Sequence, residues 1–252
     1  GQKPDRIPVF YRATQEAGQK LMEYLHCSSE DDLLDRLHID REISVQPEYI
    51  GSVLDSNMDI FGCQYRSIDY GCGSYQECIG HPLMKYETVD EIEANYTWPS
   101  ADWFDYSVIP DQIYGREKSI LTGGGWEPFL IYKYLRGEEQ AFMDLILNPD
   151  IIHYCMEKLF TYHYEKSRRI FEMAGGKILI SSSSEDLGAQ NGLLYSPEHI
   201  RTYFLPLHKR MIDLIHEAGA YVMWHSDGAI RGILPDLTNL GIDILDPVQW
   251  RC

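Results

Sequence analysis

The sequence predicts an α/β fold, a (β/α)8 barrel seen incomplete with about six of its strands. Three observations carry this. Strand-like apolar runs alternate with amphipathic helix patterns along the chain, which implies parallel strands joined by right-handed crossovers. No GxGxxG follows the first strand pattern, which weakens a dinucleotide-binding sheet. Polar residues gather where strands end, at Arg12, residues 123–125, Glu185 with Asp186, His225 with Asp227, and Asp246 with Gln249. That is the edge where a barrel keeps its active site. An open doubly wound sheet is the alternative.

The elements follow in order. "IPVFYR" (7–12) reads as a buried strand, and "TQEAGQKLMEYLHC" as a helix with Thr14 as N-cap. "SEDDLLDRL" is a short helix with acids in its first turn, where they suit the helix dipole. "REISVQP" (41–47) is a strand that stops at Pro47. Residues 57–80 alternate apolar and polar residues around Gly71 and Gly73, which predicts a β-hairpin insertion. "TVDEIEANY" is a capped helix, and "WPSADWFDY" (98–106) is an aromatic loop that reads as packing. "SILTGGG" (119–125) is a strand ending in three glycines, and two helices follow it. Residues 151–175 form a long amphipathic helix, and "KILIS" (177–181) a strand. Ser196 as N-cap and Pro197 in the first turn open a helix that ends at Gly219. "AYVMWH" (220–225) is a strand, "AIRGILPDLTNLG" a helix, and "IDILDPV" (242–248) a further strand.

Six strands do not close an eight-stranded barrel, and an open arc leaves two unpaired edges. "PVQWRC" comes after a strand and before any helix. The expectation is one barrel domain over residues 1–252 that lacks its C-terminal βα units, with a helix before residue 1 missing as well.

Composition excludes several classes. With 44% hydrophobic and 24% charged residues, this is an ordinary globular chain. It holds no apolar run of ~18 residues, so nothing is expected to span a membrane. The formal net charge of −17 speaks against nucleic acid, which needs a basic face. "GQKPDRIPVFYRA" has no signal-peptide layout, and six scattered Cys (27, 63, 72, 78, 155, 252) without a CxxC pair read as free thiols. A cytoplasmic location is the expectation.

Several residues are candidates for chemistry. His225 and Asp227 close a strand and suit a metal or catalytic pair, or Asp227 only caps the helix expected from Ala229. Glu185 and Asp186 are paired carboxylates fit for acid–base work, or a solvated turn. Gly124 and Gly125, with Gly123, let a substrate approach the backbone or offer an anion nest, or they form a bulge. Arg12 is placed to clamp a carboxylate, or to pair with a nearby acid.

"KPDRIPVFYRA", "HPLMKYETVDEIEANYTWPSADWFDYS" and above all the stretch from Glu185 to Gln249 resemble the uroporphyrinogen decarboxylase superfamily, which includes zinc-dependent, corrinoid-linked methyltransferases. The resemblance implies a (β/α)8 barrel and two chemistries. In the decarboxylases, arginines after the first strand grip substrate carboxylates and an Asp after the second holds the pyrrole N–H groups. Here Arg12 is kept, Glu16 stands where the second arginine falls, and Gln46-Pro47 stand where the Asp falls. A substrate with many carboxylates would also be repelled by a chain this acidic. In the methyltransferases, His-x-Cys and a distant Cys bind zinc. Here the motif is His225-Ser226-Asp227, so a carboxylate replaces a thiolate, and the third ligand is expected from beyond the chain or from Cys252.

The favoured expectation is methyl transfer from a small methylated substrate, such as a methoxylated aromatic, to a corrinoid carried by a separate protein. Zinc would sit at His225 and Asp227, with Glu185, Asp186 and Asp227 as catalytic groups. Arg12, Gly124, Gly125 and Gln249 would bind substrate. The alternative is a uroporphyrinogen-type decarboxylase, which needs no cofactor. A second alternative is a non-catalytic binding module. A homodimer is expected, as barrels with large insertions often pair.

Overall fold

The computed structural model describes residues 6–7, 9–116, 119–250 and 252. Five strands form one sheet: β1 (Glu42–Val45), β2 (Ile120–Trp126), β3 (Ile180–Ser183), β4 (Tyr221–His225) and β5 (Ile244–Asp246). All neighbouring pairs are parallel, and the strands lie in chain order. A doubly wound sheet reverses its order partway; this one does not, so it is an arc of a barrel.

The helices explain why the arc has two different faces. Helices α1 (Gln15–Leu25), α2 (Glu30–Leu37), α3 (Val89–Asn95) and α4 (Ile109–Ile113) precede β2. Helices α5 (Pro128–Arg136), α6 (Glu138–Leu147) and α7 (Pro149–Ala174) join β2 to β3. The chain then passes through α8 (Leu205–Glu217) to β4, and through α9 (Leu234–Leu240) to β5. Alternate strand residues Val45, Leu121, Val222 and Trp224 are buried on the helix side. Their neighbours Ser44, Thr122, Ser182 and Met223 face the other way and line a cavity of about 400 Å³ together with Arg12 and Gly124. His225 continues the Met223 face at the end of β4.

The predicted caps are met. Thr14 Oγ1 accepts the N–H of Ala17, and Ser196 Oγ accepts that of His199. The helix after Ser196 is not uniform, because residues 200–204 form a π-turn just ahead of Pro206, which has no N–H to continue the ladder. The hairpin is present, with Gln64–Asp69 paired antiparallel to Ser74–Gly80. Cys72 is exposed near its tip while Cys63 is buried at its base, so the three hairpin cysteines do not converge.

One strand expectation is corrected. Residues 9–12 form neither helix nor strand and join no sheet. Val9 is held by the Asp40 side chain and backbone instead, and Val9 and Phe10 are more than 40% exposed. Pro8 has no N–H to give a ladder, which weakens any strand there. The described sheet therefore has five strands rather than six.

The glycine triplet turns out to shape the sheet. The register of β2 on β3 shifts between Thr122 and Gly125, a bulge. Gly125 has φ +88°, and a Cβ there would collide with the Ser182 carbonyl oxygen of β3. Its N–H is already given to Ser167 Oγ on α7. Of the anion nest expected at the glycines, the Gly125 donor is thus spent inside the fold.

Candidate functional site

The site lies at the C-terminal ends of β3, β4 and β5. Strand alternation decides which residues reach it. Ser226 is 1% exposed and its Oγ accepts the Leu187 N–H at 3.0 Å, so it points into the protein. His225 and Asp227, on either side, point to the mouth and are partly exposed. An ordinary capping role for Asp227 falls away, because no helix begins at Ala229. Its N–H goes to the Ala189 carbonyl, and α9 starts only at Leu234.

His225 sits among three carboxylates. Its Nε2 is 3.8 Å from Asp186 Oδ1 and 3.9 Å from Asp227 Oδ2, and its Nδ1 is 3.4 Å from Asp246 Oδ2. Asp186 is brought there from the loop after β3, where Oδ1 also accepts the Asp227 N–H at 3.0 Å. The loops approach closely because both contribute glycine. A Cβ on Gly188 would fall 2.6 Å from the Asp227 carbonyl oxygen, and one on Gly228 would fall 2.5 Å from Gly188 backbone. Gln249 braces the same corner, its Oε1 accepting the Gly228 N–H at 2.9 Å.

Asp186, His225 and Asp227 each offer a ligand atom, and those atoms lie within 4.8 Å of one another. One imidazole nitrogen and two carboxylates are an acceptable zinc set, though harder than the thiolates the resemblance implied. The donors present therefore fit a divalent ion, and Asp186 supplies a third ligand from within the chain.

The paired carboxylates part company. Glu185 is 1% exposed, and its Oε2 accepts the Phe129 N–H at 2.8 Å in the first turn of α5. It anchors that helix rather than facing the mouth. Burial pushes its carboxyl well above the ordinary range, against the pull of the Phe129 N–H, and Glu127 and Asp186 push it the same way as burial. A group that keeps its proton when folded but ionises when unfolded favours the unfolded chain. The stability it contributes is therefore fully present below about pH 4.3 and is lost as pH rises through the raised folded value. Glu185→Gln should then flatten the fall of melting temperature with pH above that point, and melt no lower than the parent at neutral pH. A melting series across pH checks this.

Glu127 was not legible as a site residue in the sequence. It ends the bulged strand, one residue after β2, and is only partly exposed. Burial, and then the charge of Asp186, raise its carboxyl above the ordinary range, while His225 and Lys133 oppose the rise. The signal available was its place directly after the glycine strand. Arg12 lies on the other rim of the cavity, exposed, with Nη2 3.4 Å from Glu42 Oε1 and its guanidinium over the Phe10 ring.

A parallel arc with titratable side chains converging at its strand ends defines a barrel of the enzyme type. The uroporphyrinogen decarboxylase (URO-D) family model matches residues 113–250, more than half of the chain, and the protein belongs to that family. Among solved structures, a methyltransferase from Methanosarcina mazei is similar over 97% of this chain and 72% of its own, with a TM-score of 0.63 and 13% identity. That likeness speaks of the fold. No curated protein matches the chain. Among the described residues, no helix is long and apolar enough to cross a membrane.

Proposed function

We propose that this chain is an enzyme of its superfamily that moves a methyl group from a small methylated substrate, such as a methoxylated compound, to a corrinoid carried by a separate protein. The observation that supports this most is the donor set at Asp186, His225 and Asp227, on the strand end where the methyltransferases of the resemblance hold zinc. The similar solved structure is itself a methyltransferase, which agrees with this reading. Electrostatics disfavour the decarboxylase alternative. Around the mouth stand Asp186, Asp227 and Asp246, while Arg12 is already beside Glu42. A substrate with many carboxylates would meet an acidic field there.

In this reading His225, Asp227 and Asp186 hold a divalent ion, which supplies Lewis-acid polarisation when bound. The methyl group leaves to the corrinoid, and the substrate oxygen keeps the bonding electron pair. That oxygen then needs a proton. Glu127, whose carboxyl burial and the Asp186 charge raise above the ordinary range, is the group suited to give it. The cavity beside Ser44, Thr122 and Ser182 would seat the substrate's body.

The test is a demethylation assay on methoxylated compounds with a reduced corrinoid protein as acceptor. Methyl transfer should require the acceptor, fall after chelation, and drop on the order of 10²-fold in Glu127→Gln, the usual scale for losing a general acid. Decarboxylation of a porphyrinogen with no methyl transfer would overturn the proposal.

A further inference from the structure

We propose that Asp186 is the third ligand of this ion site and Asp246 its positioning residue, so that the site takes a hard divalent cation of the manganese(II) class without any thiolate. The inference rests on the metal site of the preceding section and names its chemistry.

The geometry argues for an ion rather than a chain of hydrogen bonds. Separations of 3.8 and 3.9 Å from His225 Nε2 to the two carboxylates are too long for either to accept a proton from that nitrogen. They approach the spacing of ligands that share one ion, whose bonds are about 2.0–2.2 Å long. The opposite ring nitrogen is the one that meets a close partner, Asp246 Oδ2 at 3.4 Å. A carboxylate at Nδ1 places the proton there and leaves the Nε2 lone pair facing Asp186 and Asp227. This carboxylate–histidine arrangement orients a metal-bound imidazole and raises its basicity.

The backbone fixes each partner. Asp246 is the register partner of His225 across β4 and β5, so the pair is set by parallel strand pairing rather than by a mobile loop. Asp186 is fixed by the Asp227 N–H on its Oδ1, the same oxygen that lies 3.8 Å from His225 Nε2, and a carboxylate oxygen that accepts one hydrogen bond keeps a second lone pair for an ion. Oxygen-rich sets suit manganese and magnesium, whereas thiolates select zinc.

Manganese(II) itself is the probe, since the six cysteines would compete for zinc. The free-ion paramagnetic resonance signal is titrated with the full chain and with variants. His225→Ala and Asp186→Asn should each abolish binding, and Asn at 186 keeps the acceptor for the Asp227 N–H. Asp246→Leu should weaken binding about 10–100-fold, the range for such outer partners. Asp246→Asn, which still accepts from Nδ1, should recover part of that loss. Cobalt(II) spectra of the Asp246 variants report whether the imidazole keeps its place. Unchanged binding in Asp186→Asn or in Asp246→Leu overturns the assignment, even if His225→Ala still loses the ion. Methyl transfer is assayed separately. A chain that binds manganese through Asp186 yet moves no methyl group upholds the assignment and removes the reading it rests on.

Discussion

Asp144→Ala should destabilise the protein by about 3–5 kcal/mol, the cost of leaving one member of a buried ion pair alone. Asp144 is 0% exposed and Arg136 2%, and they meet at 2.8 and 3.1 Å. The Asp144 carboxylate also accepts from Tyr132 Oη, from Gln140 Nε2 at 2.8 Å and from Asn148 Nδ2 at 2.7 Å. Arg136 reaches on to the Leu83 and Tyr86 carbonyls, tying the segment before α3 to α5. Removing Asp144 strands a buried guanidinium and a buried phenol. Removing Arg136 leaves Asp144 with three neutral donors, so Arg136→Met should cost less. Burial alone would raise the Asp144 carboxyl, but Arg136, Tyr132, Gln140 and Asn148 together hold it below the ordinary range. Stability from this group is therefore present above about pH 3.9 and lost as pH falls through the lowered value. Denaturant melts of the two variants, repeated toward acid, measure both effects. Equal costs for the two variants, or an unchanged acid limb in Asp144→Ala, would show the network is not organised this way.

The same helices show what could be read in advance. Strands β1, β2, β4 and β5 were legible because each holds a short apolar run bounded by a cap, a Pro or a Gly, whereas β3, expected over 177–181, forms at Ile180–Ser183, where three serines carry no apolar pattern. The stretch 7–12 has a similar apolar look, yet its described residues found no ladder partner, which no local pattern reveals. Helix α4 was missed because five residues carry too little periodicity. The site divides in the same way. His225 and Asp227 announce themselves by ending a strand. That Asp186 meets them, and Glu185 beside it does not, depends on the register that sets Ser182 against Met223. Register is a tertiary property, because one residue of slip would exchange which carboxylate faces the mouth.

His225→Ala should lower kcat/KM for methyl transfer on the order of 10³-fold, about 4 kcal/mol of transition-state stabilisation. Its melting temperature should barely move. The side chain is partly exposed, and its carboxylate neighbours lie mostly beyond hydrogen-bond range, so little packing is lost. Arg12→Ala is the informative companion. Arg12 is exposed and its pairing with Glu42 at 3.4 Å is of the kind worth at most about 1 kcal/mol. For a methylated substrate without carboxylates its loss should cost less than about fivefold in kcat/KM. A carboxylate-gripping arginine would behave oppositely, raising KM steeply on removal while His225→Ala mattered little. The two variants, assayed side by side on methoxylated and on carboxylated compounds, thus separate the family's two chemistries. A steep Arg12 effect with a shallow His225 effect would move the reactive end of the substrate from β4 to the rim near α1.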